Sequence, residues 1–372
     1  MKYREILRIF GINQIEKGSI VEFYRQPKPI FYLNFQSSPK AEDIFSVLFN
    51  LAIRRGDGII YDSVKQDYVQ KINYFMQRDE PIEFVFLGFP FKCHNPLETP
   101  RRTPDLGELA FILRLLDIDA TVQQIYPPGI HFTVLKESNV YKDFFGAKEE
   151  ELEKYENRLE DFITALGGIK KIVLVDLMAV CLCIPVFEKA RKEIEKSLNL
   201  GHGKEVEKQI QALIPVMKRS LPITSGIPID DLVVVFEKTK TFLPTAFQER
   251  LKQYVMAESR RLALRYLAFQ EAKRLLEVVQ KSFPEKLYVS TISRPDRYRF
   301  HPIHRRTRYL PHHGVPVLES EKVDIVFFSE VIKNSGIYSA VFCQDDIEDA
   351  PFYFLKGKQF IKNKDVRMKG EK

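Results

Sequence analysis

Apolar positions along the chain change their spacing in a way that marks strands and helices in alternation from residue 30 to 190. Ile82, Phe84, Val85, Phe86 and Leu87 form a short apolar run of β-formers, which predicts a buried strand. Gly88 and Pro90 end that run. Further on, LGELAFILRLL carries its apolar residues at helical spacing. Asp105, with Glu108 three residues later, has the pattern of an N-cap with a capping box. IHFTVL (130–135) predicts a second strand, and GGIKKIVLVDLMAVCLCIPVF another buried strand region. LYVSTI (287–292) predicts a further one. Between them, AEDIFSVLFNLAIRR spaces its apolar residues as a helix does, after a strand that begins near residue 31. GDGIIYD predicts a turn and a short strand before the next helix. Residues 1–30 read as a short amphipathic helix and a strand-like piece, and DLVVVFEK (231–238) as a strand or a buried helix start. Residues 186–219 and 244–283 read as helices, the second being the longest in the chain.

Strand–helix alternation predicts an α/β fold with a mixed, mostly parallel sheet flanked by helices, Rossmann-like, and a helical insertion or cap over 190–285. The expected organisation is a single catalytic α/β domain over 1–330, with a C-terminal extension over 331–372 that ends in a basic tail. At 372 residues the chain can bury a large core. Its 45% apolar and 29% charged residues are ordinary for a soluble protein. A net charge of +7 favours anionic ligands, but it is too small and too spread out to point to nucleic acid.

Four cysteines form neither a disulfide framework nor a spaced zinc motif, and Cys181 and Cys183 read as core thiols alternating on an apolar strand. The N-terminus is charged throughout. The longest apolar run, 172–187, contains Asp176 and falls short of the ~20 residues that a membrane span needs. A soluble, cytoplasmic protein is the expectation. There is no GxGxxG or Walker loop in the chain.

Two loops at predicted strand ends concentrate the chemistry, in the place where α/β proteins bind ligands. The first holds Lys92, Cys93, His94 and Asn95, with Arg101 and Arg102 after them, and is stiffened by Pro90, Pro96, Pro100 and Pro104. The second carries Arg294, Arg297, Arg299, His301, His304, Arg305, Arg306 and Arg308, and closes with Pro311-His312-His313-Gly314-Val315. His301 and His304 are three apart, but nearby carboxylates and cysteines are too few to suggest a metal site. A basic surface interleaved with aromatics is one option for RNA. A pocket for a phosphorylated or carboxylated small molecule fits two facing basic loops better. On the long helix, Arg261 and Arg265 share a face and could reach one anion together.

The first loop also resembles the signature of the pyoverdine/dityrosine biosynthesis family, the isonitrile (isocyanide) synthases. The likeness rests on Phe89, Pro90, Lys92, Asn95 and Pro96, followed by Pro104, Asp105, Leu106 and Glu108. The second loop resembles the family at Pro311, His313, Gly314 and Val315, with His312 in place of a Trp. Ile292 and Pro295 stand in place in the strand before it, where Thr291 replaces a Ser. Between the two, Lys136, Glu137, Ser138, Asn139, Val140, Tyr141 and Asp143, with Tyr155, keep the order of a family segment but lack its Asp-Gly-Arg core. The resemblance covers roughly residues 50 to 320.

The resemblance implies an enzyme that joins the amine of tyrosine or tryptophan to the ketone of ribulose 5-phosphate. The sugar then donates the isonitrile carbon, and neither a metal nor an organic cofactor is implied. Such a reaction needs cations for the phosphate and the carboxylate, and acid–base groups near neutrality. The expected assignment puts Lys92 and His94 in the reaction centre and His313 opposite as a second acid–base group. Arg101 or Arg102, with Arg265 and Arg294, would bind phosphate or carboxylate. Asp105 would orient Lys92 or cap its helix. The expected partners are small molecules, an amino acid and a sugar phosphate, with the oligomeric state left open. A non-catalytic relative that binds an anionic ligand or RNA is the alternative, and an aldolase-like lyase acting on the sugar phosphate is a third reading.

Overall fold

The structure, a computed structural model, describes residues 39–54, 62–92, 99–225, 245–292, 294, 296–303, 307, 309–319, 322–342 and 350–356. The expected elements in 1–30, the strand that begins near residue 31, the turn and short strand over 56–61, the element over 231–238 and the basic tail lie outside these residues. Helix α1 (Ala41–Leu51) buries Ile44, Phe45 and Leu48 on one face. It is followed by β1 (Ile53–Arg54), α2 (Asp62–Met76) and the central strand β2 (Ile82–Gly88). Then come α3 (Leu106–Val122), β3 (Ile130–Lys136), α4 (Ser138–Phe145), α5 (Glu149–Ala165) and β4 (Ile172–Asp176). A helical series follows, with α6 (Leu177–Leu182), α7 (Phe187–Leu200), α8 (Lys204–Ser225), α9 (Thr245–Leu275) and α10 (Val278–Ser282). The chain returns through β5 (Leu287–Tyr288) and β6 (Arg299–Phe300) to β7 (Val315–Glu319) and β8 (Lys322–Val326). It ends in α11 (Phe328–Lys333), β9 (Tyr338–Val341) and β10 (Tyr353–Lys356).

The main sheet has the order β4-β3-β2-β5 and is parallel throughout. Its register runs from Ile82 opposite Ile130 to Gly88 opposite Lys136. From β2 the chain steps outward to β3 and then β4. It then crosses back to lay β5 on the other side of β2, so the winding reverses between β2 and β5. In open α/β sheets, such a switch point opens a crevice at the carboxyl ends of the strands.

The continuous apolar run in β2 follows from burial on both faces. Phe84 and Phe86 face the core shared with α1, α2, α3 and α5, while Val85 faces a second core built with α4 and α6–α10. On the first side, Phe86 stacks on Phe300 with ring centroids 5.1 Å apart. Helix α3 is buried at almost every position because it lies between the main sheet and a second sheet of order β8-β7-β10-β9. Its buried charges are correspondingly paired: Arg114 meets Asp117 at 2.8 Å, and Asp119 accepts the Ile130 amide at 2.7 Å. Beyond residue 330, where the sequence suggests an extension, β9 and β10 pair into the same sheet as β7.

The apolar stretch from 172 to 187 is not one strand. It is a strand for five residues and then turns into α6, because the Asp176 carboxylate accepts the Ala179 amide at 2.7 Å and caps a helix. Cys181 is therefore buried on that helix, whereas Cys183, at its C-cap, is exposed. LYVSTI pairs as a strand only at Leu287 and Tyr288. Among the described residues, no helix is long and apolar enough to cross a membrane.

Candidate active site

A cavity of about 740 Å³ opens at the switch point. Its floor is the end of β2 and the turn after it, Leu87 to Pro90. One wall is Glu108 and Phe111 of α3 together with Leu310 to His313. The opposite wall is Glu137 and Tyr141 after β3, Leu213 and Met217 of α8, and Tyr266, Gln270 and Lys273 of α9. Tyr288, Ser290, Thr291, Ile292, Arg294, Asp296 and Arg297 complete the rim. The helices between 190 and 285 therefore supply a side of the cleft.

The floor is sterically specified. A Cβ on Gly88 would sit 2.7 Å from Cγ1 of Val134, so the neighbouring strand approaches too closely for any other residue. The next residue, Phe89, has φ +47°, which costs of order 1–3 kcal/mol for a non-glycine residue and persists only where packing enforces it. Its ring lies 4.8 Å from that of Phe111. This turn sends the chain down to Lys92, whose side chain is fully buried beneath the cavity wall.

There Lys92 Nζ meets Asp105 Oδ2 at 2.5 Å and Glu108 Oε2 at 3.0 Å. The other Asp105 oxygen accepts the Gly107 amide at 2.7 Å, and the Asp105 amide donates to Glu108 Oε2 at 3.0 Å. Asp105 thus caps α3 and holds Lys92 at the same time. One ammonium faces two buried carboxyl groups, so the cluster balances if one carboxyl keeps its proton. Burial pushes the Glu108 carboxyl up to about 8, against the pull of Lys92, and the Asp105 charge adds to the rise. Glu108 Oε1 has no hydrogen-bond partner among the described residues, and Glu108 is part of the cavity wall. Burial and the nearby Glu108 also drive the Tyr155 phenol far above its usual range.

His312 and His313, on the same wall as Glu108, have ring centroids 3.9 Å apart, and both line the cavity. Gly314 follows because a Cβ there would lie 2.3 Å from the Val326 carbonyl oxygen. On the β5 side, Arg294 and Arg297 line the cavity. Arg297 is ion-paired with Asp296, and its guanidinium lies 4.0 Å over the Tyr288 ring. Lys273 is buried. The loss of solvent lowers its amine to about 8, with Glu137 opposing that shift, while burial raises the Glu137 carboxyl.

Of the residues assigned a site role from the sequence, Arg294 and His313 line the cavity, and Lys92 and Asp105 lie directly behind Glu108. His94 lies outside the described residues. Arg101 is buried away from the cavity, donating to the Ala350 carbonyl and the Thr103 hydroxyl, each at 2.8 Å. Arg102 pairs with Glu151. Arg265 lies over the Phe144 ring, with Glu195 at 3.8 Å. None of these three arginines lines the cavity. Glu108 reads from the sequence as part of a cap and of the family-like motif, with no site role of its own. Glu137 carried a usable signal, since it directly follows strand β3. Lys273 did not, because a lysine in a charged helix looks like any solvated one. Among the described residues, no group of three or more His, Cys, Asp or Glu side chains could hold a metal ion.

A sequence profile of the pyoverdine/dityrosine biosynthesis protein family matches residues 72–228. The L-tyrosine isonitrile synthase of Pseudomonas aeruginosa is 25% identical over 285 residues, which is 73% of this chain and 80% of that protein. An L-tryptophan isonitrile synthase of Fischerella ambigua is 30% identical over 88 residues, 24% of this chain and 27% of that protein. The crystal structure of the PvcA protein from Pseudomonas aeruginosa superposes with a TM-score of 0.63 at 19% identity, covering 85% of this chain and 99% of that one.

Proposed function

We propose that the chain, which matches the pyoverdine/dityrosine biosynthesis family over residues 72–228, is an isonitrile synthase. In this reading it condenses the amine of an amino acid, tyrosine or tryptophan, with ribulose 5-phosphate. The observation that carries the reading is the cavity at the switch point, which gathers cations and proton carriers on facing walls. Its volume falls within the range of small-molecule sites.

Arg294 on the rim offers its guanidinium to the phosphate or the carboxylate, with Arg297 beside it. His313 moves protons from one side, as does the protonated Glu108 carboxyl, which can donate at neutral pH because burial holds its proton there. Lys92 acts through Glu108 and helps stabilise negative charge as it develops at the substrate oxygen. The resemblance adds His94, on the same loop, as a further proton carrier. The apolar walls contributed by Phe89, Phe111 and Met217 help exclude water while an imine exists.

Mass spectrometry of the purified protein with ribulose 5-phosphate and a mixture of amino acids tests this directly. The expected product is one amino acid that has gained a carbon and lost two hydrogens. If the sugar phosphate and all the amino acids persist unchanged, the reading falls and a binder of anionic ligands replaces it.

A further inference from the structure

The wall opposite Glu108 holds a buried amine to which no role has yet been given. Lys273, near the end of α9, is only 8% exposed and lines the cavity. Its ammonium makes no ion pair or hydrogen bond with any other described residue. Its Nζ lies over the ring of Phe269, 5.8 Å from the centroid. Glu137, the carboxylate it senses most strongly, lines the same cavity but lies beyond ion-pair reach. A buried lysine without a partner costs stability unless its charge is relieved. Relief here comes partly by loss of the proton, since burial lowers this amine to about 8. A neutral amine facing a cavity is a nucleophile, and carbonyl substrates are what such lysines attack.

We propose that Lys273 forms an imine with the ketone carbon of the sugar phosphate, and that the amino acid's amine then displaces it. This rests on the proposed synthase reading for its substrate. In the first step the Nζ lone pair bonds to the carbonyl carbon, and the carbonyl π electrons move to oxygen, which takes up a proton. The carbinolamine then loses that oxygen as water and becomes the protonated imine. The amino acid's amine adds to the same carbon, and Lys273 leaves with its electron pair after gaining a proton. The net result is the amino-acid imine and one water, with no oxidant or reductant required. Glu137 is placed to pass the protons, being a carboxyl in the same wall whose proton affinity burial raises. The advantage over direct condensation is that a protonated imine is a stronger electrophile than the ketone.

The test is borohydride reduction of the wild-type protein with ribulose 5-phosphate and no amino acid, followed by peptide mapping. The expected result is a reduced sugar phosphate adduct on the peptide that carries Lys273. Lys273→Arg keeps the positive charge but cannot form the imine, so it should lose the adduct and reduce isonitrile formation by about a thousand-fold or more. A folded Lys273→Arg protein within a few-fold of wild-type turnover would overturn the proposal. So would an absent Lys273 adduct in a wild-type protein that makes isonitrile. An adduct at Lys273 without isonitrile from any amino acid would uphold the imine step and bring down the synthase reading instead.

Discussion

Lys92 and Asp105 meet at 2.5 Å where neither side chain reaches solvent, while the second oxygen of Asp105 caps the helix that carries Glu108. One carboxylate therefore both starts the helix and holds the buried lysine. Breaking a buried ion pair from one side leaves an uncompensated charge and costs about 3–5 kcal/mol. Lys92→Met is expected to lower stability by that order in urea unfolding. Adding Asp105→Asn should restore part of the loss, because the two changes share one interaction. Strictly additive losses in the double variant would show that the pair is not coupled.

Glu108 makes stability depend on pH. Its folded-state value of about 8 lies above the ordinary 4.5. Its contribution is therefore fully present below about 4.5 and is lost as pH rises through about 8, because the folded protein holds a proton that the unfolded chain has released. Glu108→Gln cannot ionise. The stability difference between wild type and Glu108→Gln should shift in favour of the variant from pH 5 to pH 8. A difference that stays flat across that range would mean that Glu108 is ionised in the fold.

His313 is expected to act as a proton carrier, and losing a general acid or base costs about 10²–10⁴-fold in rate. His313→Gln should lower kcat by that order while leaving the unfolding midpoint near wild type. Gly314→Ala tests the placement of the loop. Its new methyl would meet the Val326 carbonyl, and overpacking of this kind costs about 1–3 kcal/mol. Activity in the Gly314→Ala protein should fall with His313 still present. Full activity there would show that the loop tolerates displacement.

Two arginines that look alike in the sequence should separate in their effects. Arg294→Ala is expected to raise the KM for sugar phosphate by about ten-fold or more, the loss of one charge-assisted contact at about 1.5–3 kcal/mol. Arg101→Met should leave that KM unchanged and lower stability by about 1.5–3 kcal/mol, because its hydrogen bonds tie residue 350 to the core. Thermal melts and steady-state kinetics on both variants decide the matter, and exchanged phenotypes would reverse the assignment.

What the sequence determined by itself was local order and where chemistry gathers. The apolar run at 82–87, its stop at Gly88 and the Asp105–Glu108 cap are short-range patterns, and they appear in the structure as β2, its sharp turn and α3. The second loop's closure reappears beside the helix that follows the first, with His313 on the same cavity wall as Glu108. Local pattern misread 177–182, where one capping carboxylate outweighed an apolar run that looked like a strand. Only the tertiary structure decided which cations face the cavity. Arg101, Arg102 and Arg265 found nearer partners, while Arg294 remained on the rim. It also turned Lys273 from a residue of a charged helix into a buried amine at the cleft. The proton affinities of Glu108 and Lys273 were decided there too, because desolvation depends on what packs around a group, and those neighbours come from distant parts of the chain.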